Sequence, residues 1–228
     1  MSDLEQALAH KYRLDDEPLV NVTAISGLLD DGKSGAFAGA AVKLTKAGED
    51  YRQTWKASGE RGTRVHGYCE AFLKNEPIQM VPADAGFVDA LELFIKDRDP
   101  QVIDLEQIVL SDEGYGGRFD VLATLDGEIA LIDVKTGKPY AAEHTLQLSA
   151  YRYATGIAEY GLDGALIGLR PMPEIEATYC LYVHEDGTYD LTSYPADSEA
   201  WNVFLGLLDA YNWSRTDHMK AAVKASRA

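Results

Sequence analysis

The chain has 228 residues, 46% hydrophobic and 25% charged, with a formal net charge of −16. That is enough chain for a sizeable folded core, and no apolar run nears the roughly 20 residues that cross a bilayer. The N-terminal MSDLEQALAHKYRLDDEP lacks an apolar signal core, so a cytoplasmic protein with no membrane association is expected. The acidic balance argues against a broad basic surface for nucleic acid, but not against a local basic groove or an acidic site neutralised by divalent cations.

In chain order, residues 3–12 suit a short helix and Leu19 to Ile25 (LVNVTAI) reads as a strand or extended segment. Residues 36–56 are Ala-rich and mostly helix-compatible. GTRVHGYCEAFL, 62–73, is helix-like with Thr63 as its expected N-cap. A helix over 87–96 closes before Asp99-Pro100. VIDLEQIVLS, 102–111, alternates like a strand. Residues 117–125 and 128–135 form strands joined by an Asp126-Gly127 hairpin turn. Thr136-Gly137-Lys138-Pro139 breaks the pattern, and 141–160 is expected as one long helix. Strands follow at 165–169 and 177–183, then a hairpin at Asp186-Gly187 into 188–192, and an amphipathic helix over 198–213. Residues 1–215 are expected to form one domain and 216–228 a fraying tail. The order predicts an α/β fold with a mixed central sheet flanked by helices. Cys69 and Cys180 form no CxxC pair, so neither a zinc site nor an iron–sulfur cluster is expected from them; they read as buried free thiols.

The chemistry concentrates on the first hairpin. Asp133 and Lys135 are two apart on a strand and share a face. Counting back through the turn brings Asp120 opposite Asp133. Two carboxylates and an ammonium converge at the end of the apolar run IALI, where charges need partners or a metal. Carboxylate oxygens suit Mg²⁺ or Mn²⁺. A divalent ion with an adjacent lysine suits phosphodiester hydrolysis.

The segment GGRFDVLATLDGEIALIDVKTG resembles the core motif of the PD-(D/E)XK nuclease superfamily, and in particular its RecB-like exonuclease branch, which includes phage and CRISPR-associated exonucleases. GTRVHGYCE and HTLQLSAYRYA are similar to that branch's GxxxH helix and QxxxY helix, so the likeness runs from about residue 62 to 155. The resemblance implies a restriction-endonuclease-like core and a Mg²⁺- or Mn²⁺-dependent DNA exonuclease of phage or prokaryotic recombination or repair, with a phage or host recombination protein as a partner. It implies that His66, Asp120, Asp133 and the main-chain carbonyl of Val134 hold the metal and that Lys135 is the catalytic lysine. Gln147 and Tyr151 would face the DNA backbone or support the site, with Glu70 a supporting residue beside the ligands. CRISPR-associated members often carry four cluster-binding cysteines; two are present here.

Two other readings compete. GLLDDGKS, 27–34, matches the phosphate-loop pattern G-x-x-x-x-G-K-[ST], but Asp30 and Asp31 would put negative charge inside a phosphate cradle. A non-catalytic acidic DNA mimic would suit the net charge, yet gives no reason for clustering His66, Asp120, Asp133 and Lys135.

Overall fold

The structure is a computed structural model that describes residues 2–29, 33–217 and 219. Its elements are α1 (Asp3–Leu8), β1 (Arg13–Leu14), β2 (Glu17–Pro18), β3 (Val20–Asn21), α2 (Val22–Ser26), α3 (Lys33–Lys46), α4 (Tyr51–Leu73), α5 (Ala85–Arg98), β4 (Gln101–Ser111), β5 (Tyr115–Leu125), β6 (Glu128–Lys135), α6 (Ala141–Arg152), β7 (Gly156–Tyr160), β8 (Leu166–Pro171), β9 (Ala177–Val183), β10 (Tyr189–Ser193) and α7 (Ser198–Trp213). The expected α/β architecture is present: an eight-stranded mixed sheet in the order β10-β9-β6-β5-β4-β7-β8, with β3 added parallel to β5. The central β4–β5–β6 meander is antiparallel, and β6 pairs in parallel with β9.

Two apolar layers sandwich the sheet. On one face Val65, Phe87, Leu91 and Phe94 of α4 and α5 meet Val121, Ile132 and Val134. On the other, Val22, Leu146, Leu148, Tyr151, Phe204 and Leu208 of α2, α6 and α7 meet Phe119, Leu122 and Leu131. Among the described residues no helix is long and apolar enough to cross a membrane. Both cysteines are buried and free.

Three expectations are corrected. Residues 19–25 are not one strand: Asn21 accepts a hydrogen bond from the Thr23 N–H and opens α2, whose Val22 and Ile25 are fully buried. Thr63 is not an N-cap. The helix begins a dozen residues earlier, at Asp50, whose side chain accepts from the Arg52 N–H, and the Thr63 hydroxyl donates back to the Gly59 carbonyl. The Ala-rich stretch is mostly helical as expected, in two helices parted near Gly48, which sits at φ 79°. The long helix of 141–160 stops at Arg152, and Gly156–Tyr160 is a strand between β4 and β8. A Cβ on Gly156 would stand 2.6 Å from the Arg170 carbonyl oxygen, so this strand is held at backbone contact.

The proposed phosphate loop lacks its entry strand, because Gly27 follows helix α2. Asp30, Asp31 and Gly32 lie outside the described residues, as do residues 218 and 220–228 of the expected tail.

Candidate active site

β4 and β5 share a break in their pleat, and the site is built on it. Leu105, Val121, Ala123 and Leu125 face α4 and α5, whereas Val109, Tyr115 and Phe119 face α6 and α7. These residues are all odd-numbered, so each strand has changed phase by one residue between them. The pairs Leu105↔Val121 and Gln107↔Phe119 bracket the break, which sets Glu106 opposite Asp120. Glu106 has φ 52°, a left-handed value that a non-glycine residue in a strand adopts at a cost. The distortion swings two carboxylates out of the regular pleat, toward α4.

β5 and β6 also part here. Their ladder ends at Val121↔Ile132, so Asp120 and Asp133 are the next residues on each strand, facing one another as the spacing predicts. The Val134 N–H donates instead to Asp120 Oδ2 at 2.6 Å. The carboxylate thus satisfies a main-chain donor and is aimed by it, while its other oxygen lies 3.2 Å from His66 Nδ1 on α4. Among the described residues His66, Glu106 and Asp120 form a group whose ligand atoms lie within 4.8 Å of one another. Arg118 Nε contacts Glu106 at 3.0 Å.

Asp133 stands outside that group. It is tied to Lys135 by an ion pair, to the Gln147 amide, which donates at 3.1 Å, and to the Cys180 thiol at 4.0 Å. Lys135 Nζ donates to Gln147 Oε1 at 3.1 Å, and the Gln147 amide also donates to the Tyr151 hydroxyl at 3.0 Å. Gln147 and Tyr151 are 7% and 2% exposed, so their polar groups turn inward to Asp133 and Lys135 and not to solvent. Glu70 pairs with Lys74 at 2.6 Å and lines the same cleft as His66.

That cleft, about 650 Å³, lies between α1, α4 and β4 and is lined by Leu8, His66, Glu70, Glu106, Gln107 and Arg118. The electrostatics follow from burial of like charges beside it. Asp120 beside His66 raises the imidazole to about 9. Burial would raise Asp120, but His66, Lys135 and the Val134 N–H outweigh it and hold the carboxyl below its ordinary value. Burial and Asp120 push Glu106 up to about 7. Burial raises Asp133, although Lys135 opposes this. For Lys135 burial works downward, and Asp133 and Asp120 overcome it, so the ammonium is held charged.

The donor set fits a divalent cation. It offers two carboxylates and an imidazole, close enough to share one ion. The crowding that drives Glu106 toward protonation is what a cation would relieve. Sequence reasoning missed Glu106, although a signal was present: apolar residues sit at odd positions in Ile103 and Leu105 and at even positions in Ile108 and Leu110. That change of phase marks the break in the pleat at Glu106-Gln107.

No family model and no curated protein matches this chain. Among solved structures, that of SSO0001 aligns over 94% of this chain and 84% of its own, at 14% identity and a TM-score of 0.43.

Proposed function

We propose that the protein is a Mg²⁺- or Mn²⁺-dependent deoxyribonuclease. The observation that carries this reading is the cluster of His66, Glu106 and Asp120, of which His66 and Glu106 open on the cleft and Asp120 is buried behind them, backed across Val134 by the buried Asp133–Lys135–Gln147 network. His66, Glu106 and Asp120 would hold the cation, with Asp133 and the Val134 carbonyl as the further ligands that the resemblance implies. A divalent cation bound there supplies Lewis acidity toward a phosphate oxygen and makes water more acidic.

Lys135 does the remaining electrostatic work. Its ammonium is held charged, so it acts as a fixed cation for the developing phosphorane charge and not as a general base. Gln147 holds Lys135 through its carbonyl oxygen and Asp133 through its amide, which fixes the two at one separation. Tyr151 orients Gln147 in turn, so both helix residues support the site instead of contacting DNA. An exonuclease mode, and a place in phage or prokaryotic recombination or repair, rest on the motif resemblance.

The test is purified protein on end-labelled linear DNA, with closed circular DNA as control, with and without Mn²⁺. Metal-dependent loss of label from linear DNA is expected. No hydrolysis with any divalent cation, together with tight binding to a DNA-binding protein, would replace this reading with the DNA-mimic one.

A further inference from the structure

The chain's charge is unevenly distributed. Residues 33–64 hold seven Lys or Arg against three Asp or Glu, a net +4 within a chain of −16. These residues make α3 and the first half of α4, which pack on each other. An aromatic cluster sits in the same place. Trp55 meets Phe37 edge-on at 5.4 Å and Tyr51 at 4.9 Å between ring centroids. Phe37 and Trp55 are 42% and 38% exposed and belong to neither face of the sheet's core. With Ser58 and Gly59 they line an open hollow of about 430 Å³.

The cluster is continuous with the candidate active site. Tyr51, Trp55, Gly59, Gly62, His66 and Glu70 follow at spacings of three and four, so they form one stripe along α4. The eleven steps from Trp55 to His66 cover about 16 Å of helix. The floor between them is bare. A Cβ on Gly59 would meet nothing within 4 Å, and one on Gly62 only the Thr136 hydroxyl at 3.6 Å. Glycines cost helix stability at exposed positions relative to Ala, and here they leave the backbone open to a ligand.

Exposed rings, flanking cations and an open track toward a phosphodiester site match a polyanion whose bases are unpaired. In a duplex the base faces are already stacked and cannot reach a ring, whereas each base of a single strand offers a face. A second copy docking through this same face would oppose two positive patches. We propose that the α3–α4 helix pair is a single-strand platform. Unpaired DNA bases stack on Trp55 and Phe37, Arg52 and Lys56 hold the adjoining phosphates, and the strand runs over Gly59 and Gly62 to the cleft at His66. The function assigned to the platform rests on the nuclease reading above; its binding of single strands does not.

Affinity for labelled oligothymidine of about 12 nucleotides, within the site sizes of single-strand binders, is measured without divalent ions beside a blunt duplex of equal length. Hydrolysis of bis(p-nitrophenyl) phosphate, too small to span the track, is followed separately with Mn²⁺. Trp55→Ala is expected to weaken single-strand binding about tenfold, the loss of one stacked base. Trp55→Phe should recover most of it, and duplex affinity and small-ester hydrolysis should not change. Should Trp55→Ala fail to fold by circular dichroism, Arg52→Gln with Lys56→Gln serves instead, lowering the salt slope of single-strand binding by about 1.4. Equal single-strand affinity in wild type and variant overturns the platform. So does an equal loss for single strand and duplex, or a dimer that Trp55→Ala dissociates while DNA binding is kept. Loss of single-strand binding in a protein that hydrolyses neither DNA nor the small ester supports the platform and overturns the nuclease reading.

Discussion

The ammonium of Lys135 is held by Asp133 and Gln147, both buried, and each partner is oriented by further bonds. On the proposed function, Lys135→Ala removes the cation aimed at the reacting phosphate. It is expected to lower Mn²⁺-supported hydrolysis of end-labelled DNA by at least about 100-fold. A rate within a few-fold of wild type would exclude a catalytic role. His66 carries a second prediction, read in the metal-free protein. Asp120 raises the imidazole from 6.5 to about 9. The stabilisation from this contact is therefore fully present below pH 6.5 and is lost as pH rises through about 9. Asp120, held below its ordinary value, contributes its part above the unfolded carboxylate range and loses it on acidification. The NMR titration of His66 should return toward its ordinary range in Asp120→Asn; an unmoved midpoint would assign the shift to another neighbour. Asp120, Asp133 and Lys135 were legible in the sequence because a two-residue turn fixes which positions face one another across a hairpin. Glu106 was not, because its place depends on a pleat break shared by two strands.

At the scale of elements, α4 carries His66, and its seating decides the site. Arg64, two residues before His66, donates to both oxygens of the buried Asp84 carboxylate at 2.6 and 3.0 Å, and the Tyr68 hydroxyl donates to Asp84 at 3.2 Å. Asp84 precedes α5, so α4 is locked to the start of α5. The α5 end is fixed in turn by Gly86, where a Cβ would stand 1.8 Å from the Glu185 carbonyl oxygen in the β9–β10 connection. Main chain on both sides cannot yield as a side chain would. Gly86→Ala is expected to destabilise the fold by at least about 2 kcal/mol, lowering Tm by about 4–8 °C in a chain of this size. An unchanged melting curve would mean that the β9–β10 connection moves freely. This joint was invisible in the sequence, since it ties residues a hundred positions apart. The misread segments failed for a related reason. GIAEY in β7 has a pattern compatible with either period, and pairing with β4 and β8 decides it. VNVTAI has β-branched residues that favour a strand, but the Asn21 cap and burial of Val22 and Ile25 favour a helix. The hairpin strands were legible because alternation and turn chemistry agree there.

Across the whole molecule, the charge divides into a basic helix pair and an acidic remainder. With +4 in residues 33–64, the other residues together carry −20. On the proposed reading, DNA approaching the protein meets attraction at the platform and net repulsion from the remaining residues taken together, and salt weakens both. The attraction acts through close phosphate contacts that release condensed counterions, whereas the repulsion acts over longer distances and is already largely screened at about 0.15 M ionic strength. Affinity should therefore fall with salt between about 50 and 200 mM, but with a slope set by few contacts. Three or four phosphates held by the helix pair correspond to a log–log slope of about −2 to −3 for a single strand. Activity at subsaturating DNA should follow the same line, while the rate at saturating DNA stays nearly constant, because His66, Glu106 and Asp120 are shielded in the cleft wall and bound substrate no longer competes with bulk ions. Initial rates over a grid of DNA and NaCl concentrations at fixed Mn²⁺ separate the two. A slope near −10 would require an extended basic surface, far beyond the helix pair. A slope near zero would place recognition away from phosphates altogether.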